Sequence, residues 1–469
     1  MAQYKTPGVY VEETSNLAPS VAGVATAIPA FIGYTAMTPT NDPVRISTML
    51  EYETLFGPAP VCTVDAATKN VLLKNKGFVM HDSLRLFFDN GCGVCYIVSL
   101  GAYPSSAVAA KGYKAAIDQL EAMDEVTLVA CPDLVLVAED SVVMEVQQYM
   151  LKHCSDMKDR FALLDIKDNE VAAFRNNIGI NGLNYGAAYY PLLKSTYQAE
   201  IDFKDVIAYM KANGVNGLAE AEKLATGKYE KQVEGADNKK EKKEVEYSAE
   251  ELAFKIKNMK AQLPEYDTYL AKLQDEASVI TPSAAIAGAI VATDANVGVW
   301  QSPANISLAS VLNVTKNINN NEQEDLNIDV NAGKSINAIR KFAGKGILIW
   351  GARTLDGNDN EWRYISVRRL FNYIEESVQK STFWAVFQPN DENTWVKVKC
   401  QISNFLMGLW RDGALAGTTP EASYYVNVGR GITMSDDDIN NGNLIVEIGV
   451  AAIRPAEFIV LRFSHKVQQ

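Results

Sequence analysis

Residues 126–166 read VTLVACPDLVLVAEDSVVMEVQQYMLKHCSDMKDRFALLDI. Two apolar runs, Val126–Cys131 and Phe161–Ile166, bracket a helical pattern over Ser141–Cys154. A strand, a helix and a second strand in that order point to a parallel pair with a covering helix. The same alternation extends outward on both sides. Strands are expected at Ala30–Tyr34, Val94–Leu100 and Gly186–Leu192. Helices are expected around Ile46–Phe56, Asp82–Asn90, Ala109–Met123 and Asn169–Asn177. Residues 31–192 therefore read as an α/β domain with a largely parallel sheet.

Either side of that block the sequence changes character. Residues 1–30 look like an extended arm: YKTPGVYVEE (Tyr4–Glu13) is a short alternating strand after a Pro-Gly turn, with Val9 and Val11 on one face and Tyr10 and Glu12 on the other. Residues 193–280 contain KYEKQVEGADNKKEKKEVE (Lys228–Glu246), a charge run expected as a solvated helix face or loop, followed by a helix-like run over Ser248–Leu273. This segment reads as an exposed insertion. From Thr281 the chain is compact again. Val367, Leu370, Phe371, Ile374 and Val378 make one stripe of a helix over Tyr364–Lys380, whose other face carries Arg368, Arg369, Glu375 and Glu376. A second helix follows the cap-like Pro389-Asn390-Asp391, with Ile402, Phe405, Leu406 and Leu409 on its apolar face. Strands are expected at Asn443–Val450 and Ala456–Phe463. The resulting division is 1–30 arm, 31–192 α/β domain, 193–280 insertion, 281–455 C-terminal domain and 456–469 terminal strand.

Composition narrows the function classes. The chain has 469 residues, 44 Lys and Arg against 57 Asp and Glu, and a formal net charge of −13. That balance weighs against binding nucleic acid, whose phosphates need a cationic face, and against anionic lipid. Six cysteines make no dense disulfide framework and suggest a reducing compartment. Neither a signal-peptide pattern nor an apolar run of spanning length is expected.

Three fragments suggest chemistry and fail on spacing. Gly333-Lys334-Ser335 resembles the end of a phosphate-binding loop, but Ile328 stands where that loop needs glycine. Cys92 and Cys95 have redox or zinc spacing without a second pair. Asp436–Asp438 with Gly442 and Glu447 loosely resembles a calcium loop whose glycine is one position late. His81 and His153 have no partner constellation. No catalytic, cofactor or metal set is expected. An α/β enzyme remains an alternative on fold alone, and a non-contractile polymer of capsid or surface-layer type a nearer one.

Taken in order, eight segments resemble the contractile tail sheath family, which includes phage tail sheaths and the sheaths of contractile injection systems. They are PGVYVEE (Pro7–Glu13), YGAAYYPL (Tyr185–Leu192), TPSAAIAGAIVATDANVGVWQSPAN (Thr281–Asn305), SINAIRKFAGKGILIWGARTL (Ser335–Leu355), EWRYISVRRLFNYIEESV (Glu361–Val378), VFQPNDENTW (Val386–Trp395), FLMGLWRDGALAG (Phe405–Gly417) and RPAEFIVLRF (Arg454–Phe463). A single chain carrying both halves looks like the phage or extracellular type. The resemblance implies a mixed α/β, multi-domain fold, with a tube-proximal core built from the N-terminal arm and the C-terminal third and an outer α/β domain inserted between them. It also implies stacked six-fold rings of self-associated subunits around an inner tube, with baseplate and terminal cap proteins and a possible second sheath paralogue as partners. Assembly would occur in the cytoplasm of the producing cell, without membrane insertion.

The residues supply candidates for each role. Inter-subunit strands are expected from Pro7, Gly8, Val9, Tyr10, Val11 and Glu12, and from Phe458, Val460, Leu461 and Phe463, because unpaired apolar strands bind other chains by edge addition. Hinge candidates are Pro19, Gly23, Pro29, Gly449 and Pro455. Arg368, Arg369, Glu375 and Glu376 are candidates for charge pairs between subunits. By the resemblance, Lys397, Lys399 and Arg411 are candidates for tube contact.

Overall fold

The computed structural model describes residues 20–40, 42–65, 72–74, 77–104, 107–234 and 240–458. The described residues form two compact units, 25–369 with 455–458, and 20–24 with 370–454.

The larger unit is built on a nine-stranded sheet. In chain order its strands are β1 (Pro29–Gly33), β2 (Val44–Ile46), β3 (Cys95–Ser99), β4 (Leu128–Ala130), β5 (Phe161–Asp165), β6 (Gly186–Tyr190), β7 (Ile306–Ser307), β8 (Asn337–Phe342) and β9 (Gly346–Trp350). Their spatial order is β7-β9-β8-β6-β5-β4-β1-β3-β2. The six strands from β8 to β3 run parallel, β2 and β9 pair antiparallel to them on the two sides, and β7 pairs antiparallel to β9. The expected parallel sheet is present, but it is wider than residues 31–192. Residues 281–369 belong to this larger unit and supply three of its strands.

Alternation along the strands sorts the core into two layers. Ala30, Ile32, Val129, Ala162, Leu164, Ala188 and Ala338 pack with the helices Ala110–Gln119 and Asp140–Met157. Phe31, Leu128, Phe161, Leu163, Ala187, Tyr189 and Ile339 pack with Met80–Asn90 and Ser283–Asn296 on the opposite face. Both faces are covered, so the central strands read as unbroken apolar runs.

Ser283–Asn296 is buried on nearly all sides because small residues let it approach its neighbour. A Cβ on Gly288 would stand 2.6 Å from the Phe87 carbonyl oxygen, and one on Gly91 2.0 Å from the Gly288 carbonyl oxygen. Backbone cannot rotate away as a side chain can. Gly288→Val is therefore expected to cost about 1–3 kcal/mol or more by forcing the helices apart, read as a lower midpoint in urea unfolding at unchanged slope.

A third apolar cluster lies in the insertion, around Phe203, Val206, Ile207, Met210, Leu224, Tyr266 and Leu273. The charge run is a β-hairpin here, Lys228–Glu234 against Lys240–Glu246. Period-two spacing explains the departure from the expected helix or loop: Tyr229 faces Val245 across the strands, and Lys228 faces Glu246. The helix Ala249–Gln262, capped by Ser248 Oγ on the Glu251 amide, buries no residue.

The smaller unit contains the helix Glu392–Arg411, most of the helix Ile365–Ser381 and an antiparallel pair, Tyr424–Asn427 with Glu447–Val450. Asp391 caps the long helix by accepting from the Thr394 amide at 3.0 Å, as the sequence suggests. Val398, Ile402, Leu406 and Leu409 form its buried face. Side-chain bonds tie its flanks. Trp384 Nε1 donates to Gln401 Oε1 at 2.8 Å, Gln401 Nε2 to the Ser381 carbonyl at 3.0 Å, and Tyr424 OH to the Ser403 carbonyl at 3.1 Å.

Candidate assembly interface

The two-stranded sheet of the smaller unit offers edges to another chain. Tyr424–Asn427 and Glu447–Val450 pair only with each other among the described residues, leaving an outer edge on each strand. Gly449, expected as a hinge, is a strand residue opposite Tyr425, and a Cβ there would stand 2.1 Å from Tyr425 Cε1. The ring covers the glycine, so a side chain at 449 would displace it. Tyr425 is half exposed.

The arm residues Pro7, Gly8, Val9, Tyr10, Val11, Glu12, Val460, Leu461 and Phe463, and the hinge candidate Pro19, lie outside the described residues. Phe458 is described and is largely exposed. Pro29 opens β1, buried and in register with Leu128, so it is part of the body of the sheet. Gly23 sits where the chain runs along the helix Ile365–Ser381. The Ala22 and Val24 amides donate to Ser381 Oγ and Ser377 Oγ, each at 3.2 Å. A Cβ on Gly23 would fall 2.2 Å from the Tyr373 hydroxyl, so this position serves close approach. Pro455 stands at the boundary between the two units.

The four charges grouped on one helix face separate in the structure. Arg369 is buried and makes a bidentate pair with buried Asp294 at 2.9 and 2.5 Å, while also donating to the Thr26 carbonyl at 2.8 Å. Arg368 is buried with its guanidinium 4.0 Å from the Trp362 ring centre and 4.8 Å from that of Tyr185. Glu376 is buried and accepts from Lys380 at 2.7 Å. Glu375 alone of the four is exposed. Periodicity placed the two arginines on the polar side of the stripe. It did not reveal Asp294 or the aromatic rings that receive them.

Lys397, Lys399 and Arg411 are all exposed on Glu392–Arg411. Lys397 and Lys399 flank buried Val398 and diverge by about 200° around the axis, so they do not meet one flat partner together. Arg411 returns to within about 40° of Lys397 and lies about 21 Å along the helix.

The fragments that suggested chemistry are structural here. Lys334 is buried with its amine donating to the Arg175 carbonyl at 2.5 Å, and Ser335 Oγ donates to the Asn327 carbonyl at 2.6 Å. Cys95 is buried in β3, where burial pushes its thiol pKa well up, while Cys92 is exposed. Asp436–Asp438 opens a short helix capped by Ser435. Among the described residues no group of three His, Cys, Asp or Glu could hold a metal ion, and no helix is long and apolar enough to cross a membrane.

Two carboxylates that the sequence reading passed over lie just past the C-terminal ends of β4 and at the end of β5, where α/β enzymes often place ligands. Both are closed off. Asp133 accepts from the Tyr34 and Val79 amides at 2.9 and 2.8 Å, and Asp165 from the Ser283 amide at 2.8 Å. Burial raises each pKa to about 7. Burial, with the Arg160 charge second, lowers that of His153 to about 4. The raised carboxylates keep protons that the unfolded chain releases, so their contribution is present in acid and lost as pH rises from about 4 to 7. The depressed histidine acts oppositely, losing stability as pH falls from about 6.5 to 4. Two groups oppose one, so stability is expected to fall between pH 5 and 7.5. His153→Gln removes the opposing group and should steepen that fall, measured as the difference in melting temperature between the two pH values.

Comparison with known proteins now bears on these surfaces. A family model described as the phage tail sheath protein central domain matches residues 106–355, and one for the phage tail sheath C-terminal domain matches 357–466. The tail sheath protein of Enterobacteria phage T4 is 27% identical over 144 residues, 31% of this chain and 21% of that protein. The one from Vibrio phage KVP40 is 27% identical over 131 residues, 26% and 18% of the two chains. The matched region thus spans about a fifth of the length of these curated relatives. Solved structures are similar end to end. A sheath of an extracellular contractile injection system, PVC, in its contracted state is 27% identical, with a TM-score of 0.65 and 100% and 99% of the two chains covered. The contracted helical sheath of the anti-feeding prophage is 29% identical, with a TM-score of 0.66 and 99% and 100% covered.

Proposed function

The chain belongs to the phage tail sheath family, and we propose that its copies stack as six-fold rings around an inner tube and collapse from a long state to a short, wide one, driving the tube through a target envelope. The reading is carried by the open-edged pair Tyr424–Asn427 and Glu447–Val450 in a chain that resembles contracted sheaths along its whole length. In this reading the terminal arms of neighbouring subunits, from Pro7–Glu12 and from Phe458–Phe463, add strands to those edges. Main-chain hydrogen bonds then hold the lattice while the bodies move. The inner tube meets the smaller unit through Lys397 and Arg411, which share one side of their helix. Of the four charges on the helix Ile365–Ser381, the exposed Glu375 is the one this reading places against a neighbouring body. Baseplate and cap proteins close the ends of the assembly. The full-length likeness to injection-system sheaths supports a particle of the extracellular type, assembled in the producing cell.

Negative-stain electron microscopy of the chain co-purified with its neighbouring tube protein tests this. Hollow ridged cylinders in two forms, long around a tube and short and wide without one, are the expected result. Cylinders of one form only would favour a non-contractile polymer, and small discrete oligomers would refute the sheath.

A further inference from the structure

The chain leaves the larger unit after Arg369 and returns to it at Pro455. Two residues past that return, one side chain is held from several directions. Arg353 Nε donates to Glu457 Oε1 at 2.9 Å and its Nη2 to Oε2 at 2.5 Å, while Tyr364 OH donates to the same Oε2 at 3.3 Å. The arginine side chain is 5% exposed and the glutamate 16%. Arg353 is also held by groups other than Glu457. Its amide donates to Asn337 Oδ1 at 2.8 Å, and its Nη1 to the carbonyls of Asn327 and Gly357, both at 3.3 Å. Arg353 and Tyr364 also face each other across a β-bridge. Around Glu457 the chain is otherwise loosely engaged: Arg454, Ala456 and Phe458 are exposed. The next backbone hydrogen bond upstream among the described residues is from the Ile453 amide to the Ala414 carbonyl, at 3.4 Å.

We propose that Arg353 and Tyr364 form a clamp on Glu457 that sets where the C-terminal arm leaves the subunit, making Glu457 a positioning residue for the tether between neighbours. The proposal rests on the reading of that arm as an inter-subunit strand. With the clamp closed, the chain is held as far as Glu457. With it open, free chain begins after Ile453, four residues earlier, which adds about 13 Å of reach at roughly 3.3–3.6 Å per residue. A bidentate, charge-assisted pair in a mostly buried socket is suited to carry load along a strand, because both bonds must break together. Slack of 13 Å would change the spacing that a tether can enforce.

Two measurements test the clamp. In the unassembled subunit, chymotryptic cleavage after Phe458 should be at least about tenfold faster for Glu457→Ala than for wild type, because a protease needs several mobile residues around the scissile bond. Equal rates would overturn the clamp whether or not the chain assembles. In the assembly, a four-residue Gly-Ser insertion between Arg454 and Pro455 lies upstream of the clamp and should leave the helical rise of the sheath as in wild type. The same insertion between Phe458 and Ile459 lies downstream and should alter the rise or prevent ordered sheath. Equal effects from both insertions would also overturn the proposal. If wild type yields no sheath, the proposed function fails, and the cleavage rates still decide the clamp.

Discussion

Deleting residues 1–15 is expected to leave a folded subunit that no longer forms sheath. Among the described residues the apolar clusters draw on positions from Ala27 to Ile365, and this body is expected to fold without the arm. Its circular dichroism and melting temperature should match wild type closely. Assembly is another matter. A strand of about four residues added to an open edge exchanges roughly four main-chain hydrogen bonds at about 1 kcal/mol each. Losing about 4 kcal/mol at a junction weakens it by about a thousandfold, and the loss recurs at every subunit. Sedimentation should therefore find the deleted protein in the supernatant under conditions where wild type pellets as polymer. Sheaths of normal abundance and length from the deletion would remove the arm from the mechanism. Loss of the folded subunit itself would place residues 1–15 in the body, which also contradicts the arm reading.

The fold was legible wherever periodicity carried the information. Strands buried on both faces, such as Phe161–Asp165, and helices with one apolar stripe, such as Glu392–Arg411, match the structure closely. The unit boundary was less legible. Residues 281–369 are dense in resemblance to the C-terminal part of the family, yet Asn337–Phe342 pairs in parallel with Gly186–Tyr190 about 150 residues earlier, and no local pattern announces that pairing. The hairpin at Lys228–Glu246 shows a second limit. Its charge density hid a period-two pattern supported by few apolar residues. Candidate assembly residues divided along similar lines. Exposed Lys397, Lys399 and Arg411 follow from helix geometry alone, since they lie off the apolar stripe. Arg368, Arg369, Arg353 and Glu457 depend on partners distant in sequence, and a charged residue on a polar stripe looks the same whether water or a buried carboxylate receives it.

Arg369 provides the sharpest test of that ambiguity, through its partner. Asp294 lies in the last turn of Ser283–Asn296, and both members of the pair are nearly inaccessible, at 4% and 3% exposure. Asp294→Ala would leave the guanidinium buried, still donating to the Thr26 carbonyl but without its carboxylate. Breaking a buried pair by removing one partner costs about 3–5 kcal/mol, because the surviving charge is uncompensated. A melting temperature lower by several degrees is the expected reading. Replacing both members by apolar residues of similar volume, Asp294→Leu with Arg369→Met, should recover much of that loss, since the desolvation of two ions is then also removed. An arginine that served instead to pair between subunits would behave differently. Asp294→Ala would then leave the unassembled subunit as stable as wild type and act only on polymer formation. The two readings therefore predict opposite results for one melting experiment on the dissociated protein, and the bidentate geometry favours the first.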